Sequence, residues 1–197
     1  MERITSLSNQ LTAATQKKGG VVTDSIDWFG FNDLLGPKAK ALQQKLRPYF
    51  DSGIVKRMVK HVENATYPDE LLDVLRAQKI GHYFIDKQYG GYSASGWERV
   101  AVTLELARAD ASLCTAVLVQ YGLVLGTISQ CGSEEQKNYY IPKMLDLELV
   151  GGFGLTELGN GSDASALTTN VRYEDGYYIL NGNKRWIGNA NKVSVVG

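Results

Sequence analysis

The chain has 197 residues, with 21 Lys and Arg balanced by 21 Asp and Glu, and is 44% hydrophobic. That length holds one large domain or two small ones around a real core. The balanced charge gives no basis for nucleic acid or an acidic membrane surface as a partner. Residues 1–27 are polar, rich in Ser, Thr, Gln and Lys, and have little to bury, so a mobile arm is expected there.

From Asp33 to about Gly132 the period is helical. Pro37 follows Gly36 and can open a helix at its first position, with Leu42, Leu46, Tyr49 and Phe50 on one face. Pro48 is expected to kink or end that helix. Val55, Met58, Val59 and Val62 form a second apolar stripe at helical spacing. Pro68 starts a short helix carrying Leu71, Leu72 and Leu75, which stops near Gly81. Ser95-Gly96-Trp97-Glu98 reads as a capping box opening a helix through Val100, Leu104 and Ala107. Asp110 can cap the next, from Ala111 to about Gln130, which is apolar nearly all round and therefore expected at the centre of a bundle. Its apolar stretches, such as Ala116 to Leu125, are interrupted by Gln120, Tyr121 and Gly122 and are read as too short to span a bilayer. Ser133-Glu134-Glu135-Gln136 is a second capping box, opening a helix through Tyr140 and Leu145.

At Val150 the period changes. Gly151 to Leu155 reads as a strand, and Val171–Glu174 and Tyr177–Leu180 flank the hairpin signal Asp175-Gly176. Asn181-Gly182 is a second turn before a strand-like Lys184–Ile187. Val193–Val196 begins a further strand expected to lack a partner and to leave an apolar edge. The fold class expected is α+β: a helical N-terminal domain over 28–149, then the beginning of a small antiparallel β-barrel domain over 150–197.

Cys114 and Cys131 are the only cysteines and, with His61 and His82, match no metal-ligand spacing. Two reduced, buried thiols and two structural or surface histidines are expected, and no metal.

The stretch Phe153-Gly154-Leu155-Thr156-Glu157-Leu158-Gly159-Asn160-Gly161-Ser162-Asp163 is a strand running into a loop of small residues. Glycines let backbone N–H groups approach a ligand, and the hydroxyls of Thr156 and Ser162 can donate to ring or phosphate oxygens. Alone, such a loop is more often just a turn. One hairpin later comes Gly182-Asn183-Lys184-Arg185-Trp186-Ile187-Gly188-Asn189, where Trp186 read alone suits the core of a small barrel.

Taken together, these two stretches resemble the flavin-binding signatures of the acyl-CoA dehydrogenase family, L-T-E-P-x-x-G-S-D and N-G-x-K-x-W-I-x-N. The resemblance extends back over Cys131–Gln136, Tyr140-Ile141-Pro142, Leu106–Ser112 and Phe31–Leu35, and so covers residues 31–197. Within the family it is closest to the short-chain, plant-type peroxisomal acyl-CoA oxidases and to glutaryl-CoA dehydrogenase. Leu158 departs from the family proline.

The resemblance implies FAD as cofactor and oxidation of an acyl-CoA to the trans-2-enoyl-CoA, a step of fatty acid β-oxidation. It implies that Phe153, Leu155 and Thr156 contact the isoalloxazine ring. Gly161 and Ser162 would approach the ribityl-pyrophosphate arm, with Ser162 also touching the acyl-CoA. Trp186, Ile187 and Gly188 would pack on the ring from the opposite strand. The family's catalytic base is a glutamate of a C-terminal helical domain, which also makes the homo-oligomer contacts. That domain is expected to be absent from this chain, so no catalytic residue is assigned and Glu157 is not taken as the base. The chain alone is expected to be inactive; the other reading is a non-catalytic fragment or interaction module. Glutaryl-CoA dehydrogenases carry an arginine near the position of Cys114, and Ser112–Thr115 offers no cation, which points to an apolar acyl chain. Finally, Arg3-Ile4 and Gln10-Leu11 match a nonapeptide peroxisomal address, preferred to a mitochondrial leader because of Glu2 and the scarcity of Arg.

Overall fold

The computed structural model describes residues 30–197. The expected arm and its address residues Arg3, Ile4, Gln10 and Leu11 lie outside the described residues. A one-turn helix α1 (Phe31–Leu34) leads into α2 (Pro37–Phe50), which begins with proline at its first position. Pro48 does not end the helical run. The backbone continues from α2 through a π-helical turn, Asp51–Val55, into α3 (Lys56–Asn64). Past the proline, Asp51 N–H donates to the carbonyls of Arg47 and Pro48, and Ser52 Oγ donates to Pro48 O at 2.7 Å, so the helical hydrogen bonding resumes through the wider turn.

The π turn also corrects the expected second stripe. Ile54 and Met58, four apart, face the core, whereas Val55, Val59 and Val62 are exposed. Helix α4 (Asp69–Ala77) buries Leu71 and Leu75, and two 3₁₀ turns, Ile80–Phe84 and Lys87–Tyr89, follow. Helix α5 (Gly96–Ala109) opens on the expected capping box, with Ser95 and Glu98 bonded reciprocally. Its buried residues are Ala101, Val102, Glu105 and Leu106, and Leu104 packs half-buried against Leu35, Ala39 and Ala101. A charged residue holds an inward position here, which the apolar pattern could not register. Glu105 is 1% exposed and accepts from Arg47 Nη2 at 2.8 Å and Arg108 Nε at 3.0 Å.

Asp110 caps the next helical run through a 2.7 Å bond from Leu113 N–H. That run is continuous from Ala111 to Cys131, as α6 (Ala111–Val117), a π-helical stretch Leu118–Val124, and α7 (Leu125–Cys131). It is not enclosed on all sides as expected. Leu113, Cys114, Val117, Gln120, Tyr121, Val124 and Leu125 form one buried face, and the opposite face reaches solvent. Its 21 residues are long and apolar enough to cross a membrane by length and composition alone, but its buried face belongs to the helical core. Cys114 is buried as expected, and Cys131 is exposed, because it falls in the last turn on the outward face. The second capping box opens α8 (Glu134–Leu145), whose Ile141, Met144 and Leu145 complete the core.

The α+β class stands, with a mostly helical body followed by a small sheet region. The hairpin is antiparallel: β2 (Asn170–Glu174) pairs with β3 (Tyr177–Asn181) around Asp175 and Gly176, both at positive φ as a tight hairpin turn requires. The expected strand over Gly151–Leu155 shortens to β1 (Gly151–Gly152), and Lys184–Ile187 is irregular. The last strand, β4 (Val195–Val196), is not unpaired; it lies parallel to β1. Glycine makes that approach possible, since a Cβ on Gly151 would sit 2.8 Å from Val124 Cγ1 and one on Gly152 2.6 Å from Val193 Cγ2. Gln120 joins this sheet to the helices: its Oε1 accepts from Gly151 N–H at 2.6 Å, and its Nε2 donates to Met144 O and Leu149 O.

Candidate functional site

Two segments 27 residues apart meet beyond β1. Arg185 N–H donates to Thr156 O at 2.9 Å. Lys184 Nζ donates to Leu155 O at 3.0 Å and to Glu157 Oε1 at 2.8 Å. Glu157 is 4% exposed and its carboxylate is fully engaged. Thr168 N–H and Oγ1 donate to Oε2 at 2.7 and 2.6 Å, and Thr169 N–H donates to Oε1 at 2.8 Å. Lys184 first, then Thr168 and Thr169, hold this carboxyl far below the usual carboxylate range. A base must be able to take up a proton near its working pH, so Glu157 is a structural anion.

The segment Lys184–Asn189 is also tied at its far end. Asn189 Nδ2 donates to Ala116 O and Gly151 O, both at 3.1 Å. Gly188 lies against α6–α7, where a Cβ would come within 3.1 Å of Val119 Cγ2. Between these ties Trp186 has φ +59 and is 80% exposed, with the Arg185 guanidinium 4.3 Å from its ring centre. The barrel-core reading of Trp186 therefore fails among the described residues: the ring faces outward.

The expected cofactor residues fall into two groups. Phe153, Leu155 and Thr156 stand beside Trp186, Ile187 and Gly188, through the ties above and through Gly152, whose Cβ would come within 3.3 Å of Ile187 Cγ2. Phe153 packs on the core, and Leu155 is exposed. Gly161 and Ser162 lie on the exposed turn of the loop, and no hydrogen bond among the described residues joins them to Lys184–Gly188. Leu158 is exposed in place of the family proline, and the loop is closed by other means. Glu157 N–H donates to Asn160 O at 3.0 Å, and Asn160 Nδ2 to Ala166 O at 2.8 Å.

The donors fit a flat ring carrying a polar edge and an anionic arm. Among the described residues the hydroxyls of Thr156 and Ser162, and the N–H groups of Gly159, Gly161 and Ser162, have no protein acceptor. Cβ atoms on Gly159 and Gly161 would meet nothing within 4 Å, so an approaching ligand would reach bare backbone. The described clefts of about 360 and 300 Å³ lie elsewhere, against Met58 and Tyr67 and against Tyr89 and Lys137. Sequence reasoning assigned no part to Glu157, Lys184, Gln120 or Asn189 as ties. Their only signal was polarity inside apolar or glycine-rich runs, which does not disclose a partner.

Family models settle the relationship. The acyl-CoA dehydrogenase N-terminal domain matches residues 36–148, and the acyl-CoA dehydrogenase middle domain matches 152–196. The chain belongs to the acyl-CoA dehydrogenase family. This family binds FAD. The mitochondrial short/branched chain specific acyl-CoA dehydrogenase of Bos taurus is 42% identical over 149 residues, covering 76% of this chain and 34% of that protein. Glutaryl-CoA dehydrogenase of Desulfococcus multivorans is 32% identical over 170 residues, covering 82% of this chain and 42% of that protein. The crystal structure of glutaryl-CoA dehydrogenase from Mycobacterium smegmatis in complex with FADH2 superposes with a TM-score of 0.80 at 29% identity, over 85% of this chain and 43% of that one. This member of the acyl-CoA dehydrogenase family thus spans well under half the length of these relatives.

Proposed function

We propose that this chain supplies the flavin-facing half of an acyl-CoA dehydrogenase that converts an acyl-CoA to the trans-2-enoyl-CoA. The observation that carries the reading is the joining of Leu155–Glu157 to Lys184–Arg185, which brings the segment with the free Thr156 hydroxyl beside the one with an outward Trp186. Phe153, Leu155 and Thr156 would contact the flavin ring, and Trp186, Ile187 and Gly188 would pack on it from the opposite segment. Gly161 and Ser162 hold the pyrophosphate arm, and Ser162 also touches the acyl-CoA. FAD, when bound, supplies the acceptor for the hydride leaving the acyl β-carbon. The α-proton would go to a carboxylate other than Glu157, which is held ionised by its partners. In this reading the described residues of the 28–149 unit form the helical domain and 150–197 part of the β domain, and the enzyme is a homo-oligomer.

Dehydrogenase is favoured over oxidase because the similar proteins named above are dehydrogenases. The mitochondrial relative likewise favours the mitochondrial matrix over the peroxisome for a eukaryotic member. Ser112–Thr115 carries no cation and Cys114 is turned into the core, which favours an apolar acyl group over a dicarboxylic one. Equilibrium dialysis of the chain against FAD, FMN and NAD tests the cofactor reading. Weak but selective retention of FAD is expected, and equal retention of NAD would overturn it. Anaerobic addition of butyryl-CoA should leave the flavin absorbance unbleached; bleaching would place the base within these 197 residues. Residues 1–20 fused to a fluorescent reporter should give a mitochondrial pattern indifferent to Arg3→Ala and Leu11→Ala. A punctate peroxisomal pattern lost in those variants would restore the oxidase reading.

A further inference from the structure

We infer that Lys184 and Asn189 are positioning residues that hold Trp186 outward as a preformed face for the flavin ring. The inference rests on the cofactor reading above. A non-glycine residue at φ +59 is disfavoured for an aromatic side chain, because its Cβ crowds the backbone in the left-handed region. Such a conformation persists only where the surroundings over-determine it. Here they do, on both sides of the residue. Two positions before Trp186, Lys184 Nζ is held by Leu155 O and Glu157. One position before, Arg185 N–H is held by Thr156 O. Three positions after, Asn189 Nδ2 bridges Ala116 O and Gly151 O, fixing the segment to the long helix and to β1 together.

Burial of the indole does not account for this arrangement. The Trp186 side chain is 80% exposed, so the strain is not offset by burying the indole. Arg185 covers part of the ring at 4.3 Å, and the rest faces solvent. A large aromatic surface held in a strained, solvent-facing conformation by ties at both ends is what a stacking partner would need, since the ordering cost is met before the ligand arrives. Asn189 suits its place twice: it tolerates φ +63, and its amide supplies both N–H bonds. Lys184 acts through Glu157, so the same pair that joins the two motifs also sets the entry to the Trp186 turn.

The test uses the full chain with Trp28 and Trp97 replaced by Phe, leaving Trp186 as the sole tryptophan. Its nanosecond fluorescence anisotropy is compared with that of Asn189→Asp, which keeps size and backbone preference but cannot donate. Lys184→Met releases the other end and serves if Asn189→Asp fails to fold by far-ultraviolet circular dichroism. FAD affinity is read in parallel from quenching of the same tryptophan. Released variants should show fast local motion of Trp186 in the absence of FAD, and affinity should fall about tenfold, the scale of two lost hydrogen bonds. Unchanged anisotropy in both variants would overturn the clamp, whatever FAD does. Freed Trp186 with undiminished FAD affinity would leave the ties as packing only and overturn the positioning role. If the parent chain does not bind FAD while its Trp186 is rigid and freed by the variants, the cofactor reading falls and the inference falls with it, but the clamp itself stands.

Discussion

The Glu157 carboxylate accepts from Lys184 Nζ at 2.8 Å across 27 residues of sequence. One ion pair therefore fastens the glycine-rich loop to the segment carrying Trp186, and Thr168 and Thr169 fasten the start of the hairpin to the same carboxylate. The loop, the hairpin root and the Trp186 turn share one polar centre in a region where regular strand pairing is sparse.

That centre gives a signed pH dependence. Glu157 in the folded chain titrates well below about 4.3, the value of an unfolded glutamate. A depressed folded pKa means the stabilisation is complete above the unfolded value and is lost as pH falls toward the folded one. Glu157→Gln should lower the urea midpoint at about pH 7, and the gap from the parent chain should narrow at about pH 3. A gap of equal size at both values would contradict the assignment.

The buried acid of α5 is a second, independent test. Glu105 accepts from both Arg47 and Arg108, and Arg108 also reaches Asp51 at 2.7 Å. Removing the acid leaves two guanidiniums facing one another. Breaking a buried pair from one side costs about 3–5 kcal/mol, and because both arginines reach water we expect about 2–3 kcal/mol for Glu105→Gln in chemical denaturation. A loss within experimental error would mean the cluster behaves as surface charge.

Two glycines should respond in opposite directions. A Cβ at Gly81 would run into the Tyr121 ring, which is buried and donates through its hydroxyl to Leu145 O at 3.3 Å. A Cβ at Gly122 meets nothing within 4 Å. Gly81→Ala should cost about 1–3 kcal/mol through overpacking, whereas Gly122→Ala should stabilise by about 0.5–1 kcal/mol through helix propensity. Thermal unfolding of the pair checks both signs.

Trp186→Ala should separate binding from folding. Because the indole is mostly exposed, unfolding free energy should change by no more than about 0.5 kcal/mol. FAD affinity should fall on the order of tenfold or more as a packing surface is removed. A large stability loss would return Trp186 to the role of a core aromatic.

Much of this was legible in the sequence, for local reasons. Both capping boxes, the Asp110 cap and the Asp175-Gly176 hairpin follow from side-chain and backbone chemistry within four residues. The inward face of α3 and the buried acid of α5 were not legible. A π turn before Lys56 and an inward Glu105 depend on what packs against them. The parallel pairing of Gly151–Gly152 with Val195–Val196 joins positions far apart, and alternation within one strand carries no information about its partner. At the site, the motifs announced themselves through glycines, hydroxyls and Trp186. The ties that arrange them, Glu157 to Lys184 and Asn189 to Ala116, appear only when the chain is folded.

The most direct measurement is a two-dimensional amide correlation spectrum of the isotope-labelled chain during FAD titration. Signals of Thr156, Gly161, Ser162 and Gly188, and the Trp186 indole N–H, should shift together with one dissociation constant, while those of α2 and α5 stay fixed. Shifts centred on the helices, or none at concentrations that saturate other members of the family, would contradict the claim that the loop and the Trp186 turn form one flavin-facing surface.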